Sequence, residues 1–477
     1  MIDNRRLVGI DLGIVSQHTV RVLRADGSQV CRRRCQPTVA SLATVEQTAL
    51  MGAEPGTTLE VVIEPTGPAW LPIAVFFAER GHTVYRVSSA KAADLRRFLS
   101  RHAKTNGIDA DTLARLPLVD PHSLHALELP GPERAALDRR VRACDRLVRQ
   151  GAEHKVRIKD LVRQLMPMSP LVGGLGAADL AVLERWADPN VLVKVGKARL
   201  TARIAKASNN HLGESRAQRW LDAAQAAIEL YGAHPAVAYA ELAAEVATEV
   251  RLLRAVQAEL ATHAGEREEA YRWVDPGALA RSLPGLGEVG APAVVAAMGR
   301  PGRFSKGRQF RSFTGLAPRA SETGETDRKG QPMSKAGSSL LRATFVRAAD
   351  HARKTDPQLA RIYYVQMVER GADHLKALCV TAANLAERTW AVMDRGMPYV
   401  VCDTDGTPVS PEEAKAIIFE HWAVPEEVRR RRRSKKGKAP HQVLAGHAQL
   451  GPRGAATRRP SPTPSSAREG GRVKTPA

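Results

Sequence analysis

Short apolar runs broken by polar residues open this chain, and long helical periodicities follow them. The β-branched run from Leu7 to Gly13, the alternation from Thr19 to Leu23, a third run near Gln29, and the segments Leu59 to Ile63 and Thr83 to Val87 each predict a strand. Helical patterns fill the gaps as far as Leu118. Three closely spaced strands followed by strand-helix units predict an antiparallel meander leading into βα units.

Strand signals stop after this region. Residues 132–166 read as one arginine-rich helix. Further on, Leu242, Val246, Leu253, Val256 and Leu260 trace a heptad seam with Glu249 as its one break, which fits a helix packed in a bundle or a coiled coil that joins two chains. Residues 271–398 predict helices with glycine-rich loops, and past Glu427 an arginine run gives way to Pro, Ser, Gly and Ala, the composition of a disordered tail. The expected domains are 1–125 (α/β), 126–270 (helical and coiled-coil), 271–400 (mainly α) and 401–477 (an extension with a basic tail).

Charge narrows the class of partner. The 477 residues carry a formal net charge of +21 with 43% hydrophobic content, so the chain is globular and suited to a polyanion, nucleic acid before an anionic membrane. From Arg429 onward there are 14 Lys and Arg against one acid, which leaves +8 on the rest of the chain. Five scattered cysteines, Cys31, Cys35, Cys144, Cys379 and Cys402, show no metal-binding spacing and suit a reducing compartment. With no apolar run near the ~18 residues of a membrane span, the expectation is a cytoplasmic protein that makes no membrane contact.

Candidate chemistry starts with acids. Asp11 and Glu64 each close a strand pattern, and Asp109 opens a helical one with Asn106 three residues before it on the same face. Carboxylates gathered in this way suit Mg²⁺ over a phosphodiester. Asp11 in Gly-Ile-Asp-Leu-Gly also fits the first phosphate loop of an actin-like ATPase, whose further loops have no convincing counterpart downstream. The segment Leu283-Pro-Gly-Leu-Gly-Glu-Val-Gly290 predicts a helix-hairpin-helix, with Gly285, Gly287 and Gly290 bringing backbone N–H groups to a DNA phosphate, or else a plain helical corner. Lys306, Arg308 and Lys335 lie in the basic segments that follow and are candidate nucleic-acid contacts. Between those segments a polar loop offers Ser321 and Thr323, with Ser334 just beyond it. By chemistry alone the three hydroxyls are equivalent, and a structural loop serine is the commoner reading of each.

Together these motifs resemble the DEDD-type transposases of the IS110 insertion-sequence family (the IS110, IS116 and IS902 types), relatives of the Piv DNA invertases. The resemblance runs from Leu7 to Tyr399 and rests on Gly-Ile-Asp11-Leu-Gly, Ile-Glu64-Pro-Thr-Gly, Thr-Asn-Gly-Ile-Asp109-Ala, the Leu-Pro-Gly-Leu-Gly turn, Phe-Thr-Gly-Leu-Ala-Pro318 and Ser-Lys-Ala-Gly-Ser-Ser-Leu-Leu-Arg342. It implies an N-terminal RNase H-like (RuvC-like) domain, a helical linker and a C-terminal transposase domain. It also implies a nucleophilic serine at Ser321 and recombination of double-stranded donor and target DNA through phosphoserine intermediates. A homo-oligomer, Mg²⁺ on the acidic cluster and a structured noncoding guide RNA belong to the same implication. One position departs: the family usually has Asp where this chain has Asn106, which can still ligate through its carbonyl oxygen, or Asp111 can take its place. A nucleic-acid-binding protein that has lost catalysis is the alternative.

Overall fold

The computed structural model describes residues 4–99, 105–171, 173–234, 236–319 and 331–432, together with the backbone of 322, 323, 326 and 327. The chain divides into two compact units, residues 1–131 and 132–477.

The first unit is built on a five-stranded mixed sheet. β1 (Arg5–Asp11), β2 (His18–Arg24) and β3 (Gln29–Cys35) form the antiparallel meander. After α1 (Val39–Leu50), strand β4 (Thr58–Ile63) returns parallel to β1. Helix α2 (Trp70–Ala78) then leads to β5 (Thr83–Arg86), parallel to β4, and the strand order is β3-β2-β1-β4-β5. The alternation along β1 and β4 sorts their residues by face. Val8, Ile10, Leu59, Val61 and Ile63 enter one core with Leu42, Val45, Ile73 and Phe77 of α1 and α2. The opposite face is covered by α3 (Ser89–Leu99) and α4 (Asn106–Val119), where Val62 packs with Leu95, Leu113 and Leu116. A mixed α/β sheet followed by a helical region is consistent with an RNase H-like transposase.

The second unit is helical and has two cores. α5 (Pro132–Leu165) and the 36-residue α9 (Tyr239–Val274) lie side by side. They run antiparallel, since Arg140 pairs with Glu266 at 2.5 Å while His154 pairs with Glu249 at 2.6 Å. One end of this pair, with Ile158, Val162, Val246, Val250 and Leu253, is enclosed by α6 (Ala177–Trp186), α7 (Pro189–Ala207) and α8 (Glu214–Tyr231). Its other end, with Leu137, Val141 and Tyr271, enters a second core. That core also holds α10 (Gly290–Met298), α11 (Gly307–Thr314), α12 (Ser339–Ala352), α13 (Pro357–Tyr364) and α14 (His374–Arg395). The helical region expected over 126–270 and the region over 271–400 thus share one unit, joined through α5 and α9.

Two sequence expectations change in detail. Within the α9 heptad seam, Val246 and Leu253 are fully buried against neighbouring helices of the same chain, and Glu249, the break, hydrogen-bonds His154 and ion-pairs with Arg157. The arginine run begins in an ordered helix. After α15 (Pro411–His421), α16 (Glu426–Arg431) carries the first of these arginines; Arg429 Nε donates to the Val424 carbonyl at 3.0 Å and Arg432 bonds the Gly371 carbonyl. The basic tail beyond Arg432 lies outside the described residues. Among those described, no helix is long and apolar enough to cross a membrane.

Candidate active site

Asp11 is the last residue of β1, and Glu64 is the first residue after β4. The strands are parallel neighbours with Ile10 opposite Ile63, so the two acids leave adjacent positions at the same sheet end. Ile10 and Ile63 face the α1/α2 core, and the pleat therefore turns Asp11, the last residue of β1, toward the other face, which α4 covers; Glu64 follows directly after β4. Pro65 stops the strand at that rim.

Helix α4 supplies the third acid. Thr105 caps it, its side chain accepting a hydrogen bond from Ile108 N, and Asp109 stands in the first turn. Gly9, in the middle of β1, lets the helix lie directly on the strand. A Cβ at this position would meet the Ala110 carbonyl oxygen at 2.0 Å and Ala114 N at 2.4 Å. This contact sets Asp109, one residue before Ala110, over the face that carries Asp11.

Arg96 of α3 donates to Asp109 Oδ1 at 2.9 Å, a partner that the sequence reading missed. Asn106 is exposed at the start of α4, and Asp111 is paired with Arg115 at 2.7 Å. Among the described residues, no three His, Cys, Asp or Glu side chains are grouped closely enough to share an ion in this arrangement. The donors themselves, carboxylate and amide oxygens, are those a hard divalent cation takes. Arg96 takes Oδ1 of Asp109, and a carboxylate has a second oxygen to offer a cation.

In the second unit, α11 ends at Gly315 and a two-sided stem follows. Pro318 bridges Met333, Arg319 N donates to the Pro332 carbonyl and Ser334 N to the Ala317 carbonyl, each at 2.9 Å. Beyond the stem, β6 (Glu322–Thr323) and β7 (Thr326–Asp327) pair antiparallel. Ser321 lies outside the described residues. Ser334 is in the stem itself, half-buried and followed by Lys335, whose φ of 56° is left-handed. Burial pushes the Cys35 and Cys379 thiols up to about 11, which leaves both as inert thiols at neutral pH.

A family model described as "Transposase IS116/IS110/IS902 family" matches residues 277–364, and the DEDD transposase model of the IS110 type, described as "Transposase", matches residues 8–167. The chain belongs to the IS110 family of transposases.

Similar proteins include the "uncharacterized 43.6 kDa protein" of insertion element IS110 from Streptomyces coelicolor, 25% identical over 401 residues that cover 82% of this chain and 95% of that protein. A "probable family 20 transposase" of Pseudomonas aeruginosa is 33% identical over 124 residues, covering 25% of this chain and 35% of its own length. The first matched segment of the transposase holds Asp11, Glu64, Asn106 and Asp109, and the second holds the glycine turn and the serine loop.

The glycines of that turn differ in their surroundings. Gly285 has a φ of 82°, and a Cβ there would lie 2.4 Å from the Ala348 carbonyl oxygen, so packing on α12 by itself demands glycine. Gly290 begins α10 against Leu286, whereas Gly287 is exposed with open space around it. Lys306 and Arg308 are exposed at the start of α11, and Lys335 is exposed beside the stem.

Proposed function

We propose that this insertion-sequence transposase cuts and rejoins double-stranded DNA, with Asp11, Glu64 and Asp109 as a cation-binding acidic cluster and Ser321 as nucleophile. The observation that supports this most is the placement of Asp11 and Glu64 at adjacent ends of parallel strands, under a helix whose first turn carries Asp109. Asn106, or Asp111 in its place, adds a fourth oxygen. A bound Mg²⁺ would neutralise charge on a phosphate oxygen. The carboxylates would hold the ion, and Arg96 fixes the Asp109 carboxylate through Oδ1. The Ser321 hydroxyl displaces one deoxyribose oxygen from phosphorus, and a DNA hydroxyl later displaces the serine, so the number of phosphate ester bonds is conserved. Exposed Gly287, Lys306, Arg308 and Lys335 hold the DNA backbone, a homo-oligomer brings two DNAs together, and a structured noncoding RNA pairs with donor and target.

The test is excision of the intact element, with its native flanks, from a plasmid in cells, read by amplifying the circular junction. Wild type should yield junctions, and Asp11→Ala and Ser321→Ala should yield none. Junctions that persist in Ser321→Ala would move the nucleophile to another residue. A wild type that binds DNA without forming junctions would favour the binding-only reading.

A further inference from the structure

Beside α4, on the same face of the sheet as Asp11, three arginines stand in cross-strand register. Gly9 of β1 is opposite Arg21 of β2, which is opposite Arg32 of β3. In the next row on that face, Asp11 is opposite Thr19, which is opposite Arg34. Val20 and Val22, the alternate residues of β2, enter the α1/α2 core, and this fixes Arg21, Arg32 and Arg34 on the α4 side. Together with Thr19, Thr105, Asn106 and Gly107 they line an open groove.

These charges have few acids to answer them. Arg32 donates to the neutral Gln29 at 2.7 Å. Arg21 is half-buried, and its guanidinium lies against the first turn of α4, where a Cβ on Gly107 would sit 2.8 Å from its Nη2. That turn is the positive end of a 14-residue helix. Burial, and then the neighbouring Arg32, push the Arg21 pKa down, while Asp111, already paired with Arg115, partly offsets them. A cation held between a second cation and a helix N-terminus is relieved by an anion from outside.

Arginines on an edge strand such as β3 also prevent unwanted sheet extension. That account covers Arg32 to Arg34, but it leaves Arg21, which sits on an interior strand.

We propose that this arginine face is a track for the phosphodiester backbone of a nucleic-acid strand, entering over the edge strand β3 and crossing β2 toward Asp11. Two strand spacings, about 10 Å, separate Arg34 from Asp11 in their shared row. The proposal rests on the chain acting on nucleic acid and is independent of the serine and of the metal.

The test uses the full chain and labels arginines with phenylglyoxal, read by peptide mass spectrometry, with and without 20-nucleotide probes of one sequence as single-stranded DNA, duplex DNA or RNA. Each probe that occupies the track should protect Arg32 and Arg34, whereas inorganic phosphate at the same phosphorus concentration should not. Which probe protects identifies the strand. In parallel, Arg32→Ala/Arg34→Ala should weaken binding of that probe and reduce the log-log salt slope by about 2. The charge-matched Arg142→Ala/Arg149→Ala, on exposed positions of α5, should leave the slope unchanged. No protection by any probe, or equal loss in the two double variants, overturns the track. In that event junction formation by the wild type would still uphold the transposase reading, so the two failures are distinguishable.

Discussion

Gly9 shows how one missing side chain organises a site. It sits two residues before Asp11 in a strand, where glycine costs stability, and the cost is offset by the contact of β1 with α4. Gly9→Ala forces the carbonyl of Ala110 or the whole helix outward. We expect a loss of at least about 1–3 kcal/mol in urea unfolding of the full chain, together with loss of excision activity. If Gly9→Ala keeps wild-type stability, α4 does not rest on the strand as described. In the sequence, Gly9 is an interruption in a β-branched run, and nothing local names the helix about a hundred residues away that requires it. The same holds for Arg96, whose role depends on α3 and α4 meeting. Asp11 and Glu64 were legible because a strand ending leaves a local signature, an apolar run followed by Gly or Pro.

At the scale of elements, α5 and α9 carry a direct stability test. Leu253 is fully buried, and Leu253→Ala should cost about 2–5 kcal/mol. Across from it, Gly151 is buried inside α5, and a Cβ there would meet Leu253 at 3.6 Å and Val256 at 3.7 Å, which are ordinary contacts. Gly151→Ala should therefore raise stability by about 0.5–1 kcal/mol through helix propensity, visible as a higher Tm; a lower Tm would mean the two helices approach more closely than this. The heptad spacing in α9 was readable, but its partner was not. A seam records that a helix has a mate and leaves open whether the mate lies in the same chain. The arginines of β2 and β3 were visible as composition, and only the register of the meander puts Arg21, Arg32 and Arg34 in rows with Gly9 and Asp11.

For the molecule as a whole, charge and fold are separable. Ten Lys and Arg and one acid follow Arg432, whereas Arg429 and Arg432 are tied into the second unit. A chain ending at Arg432 should unfold at the wild-type temperature, while its binding to random-sequence DNA should weaken and fall less steeply with salt. An unchanged salt slope would place nonspecific binding in the folded body alone. Net charge predicted the class of partner from the sequence, and the ordered start of the arginine run did not follow from it, because Gly371 and Val424 are distant from that run or silent in composition.

The antiparallel pair α5 and α9 joins two cores. Between Val141 in one core and Ile158 in the other, α5 rises 1.5 Å per residue, about 25 Å in all, without a proline or a kink to absorb bending. A strut of that kind works as a ruler. Whatever the α6–α8 bundle holds is kept at a set distance from whatever the serine-loop core holds, a span of about seven base pairs of duplex at 3.4 Å each. Adding or removing one heptad in both helices would reset the gauge by about 10 Å while every side chain kept its facing partner.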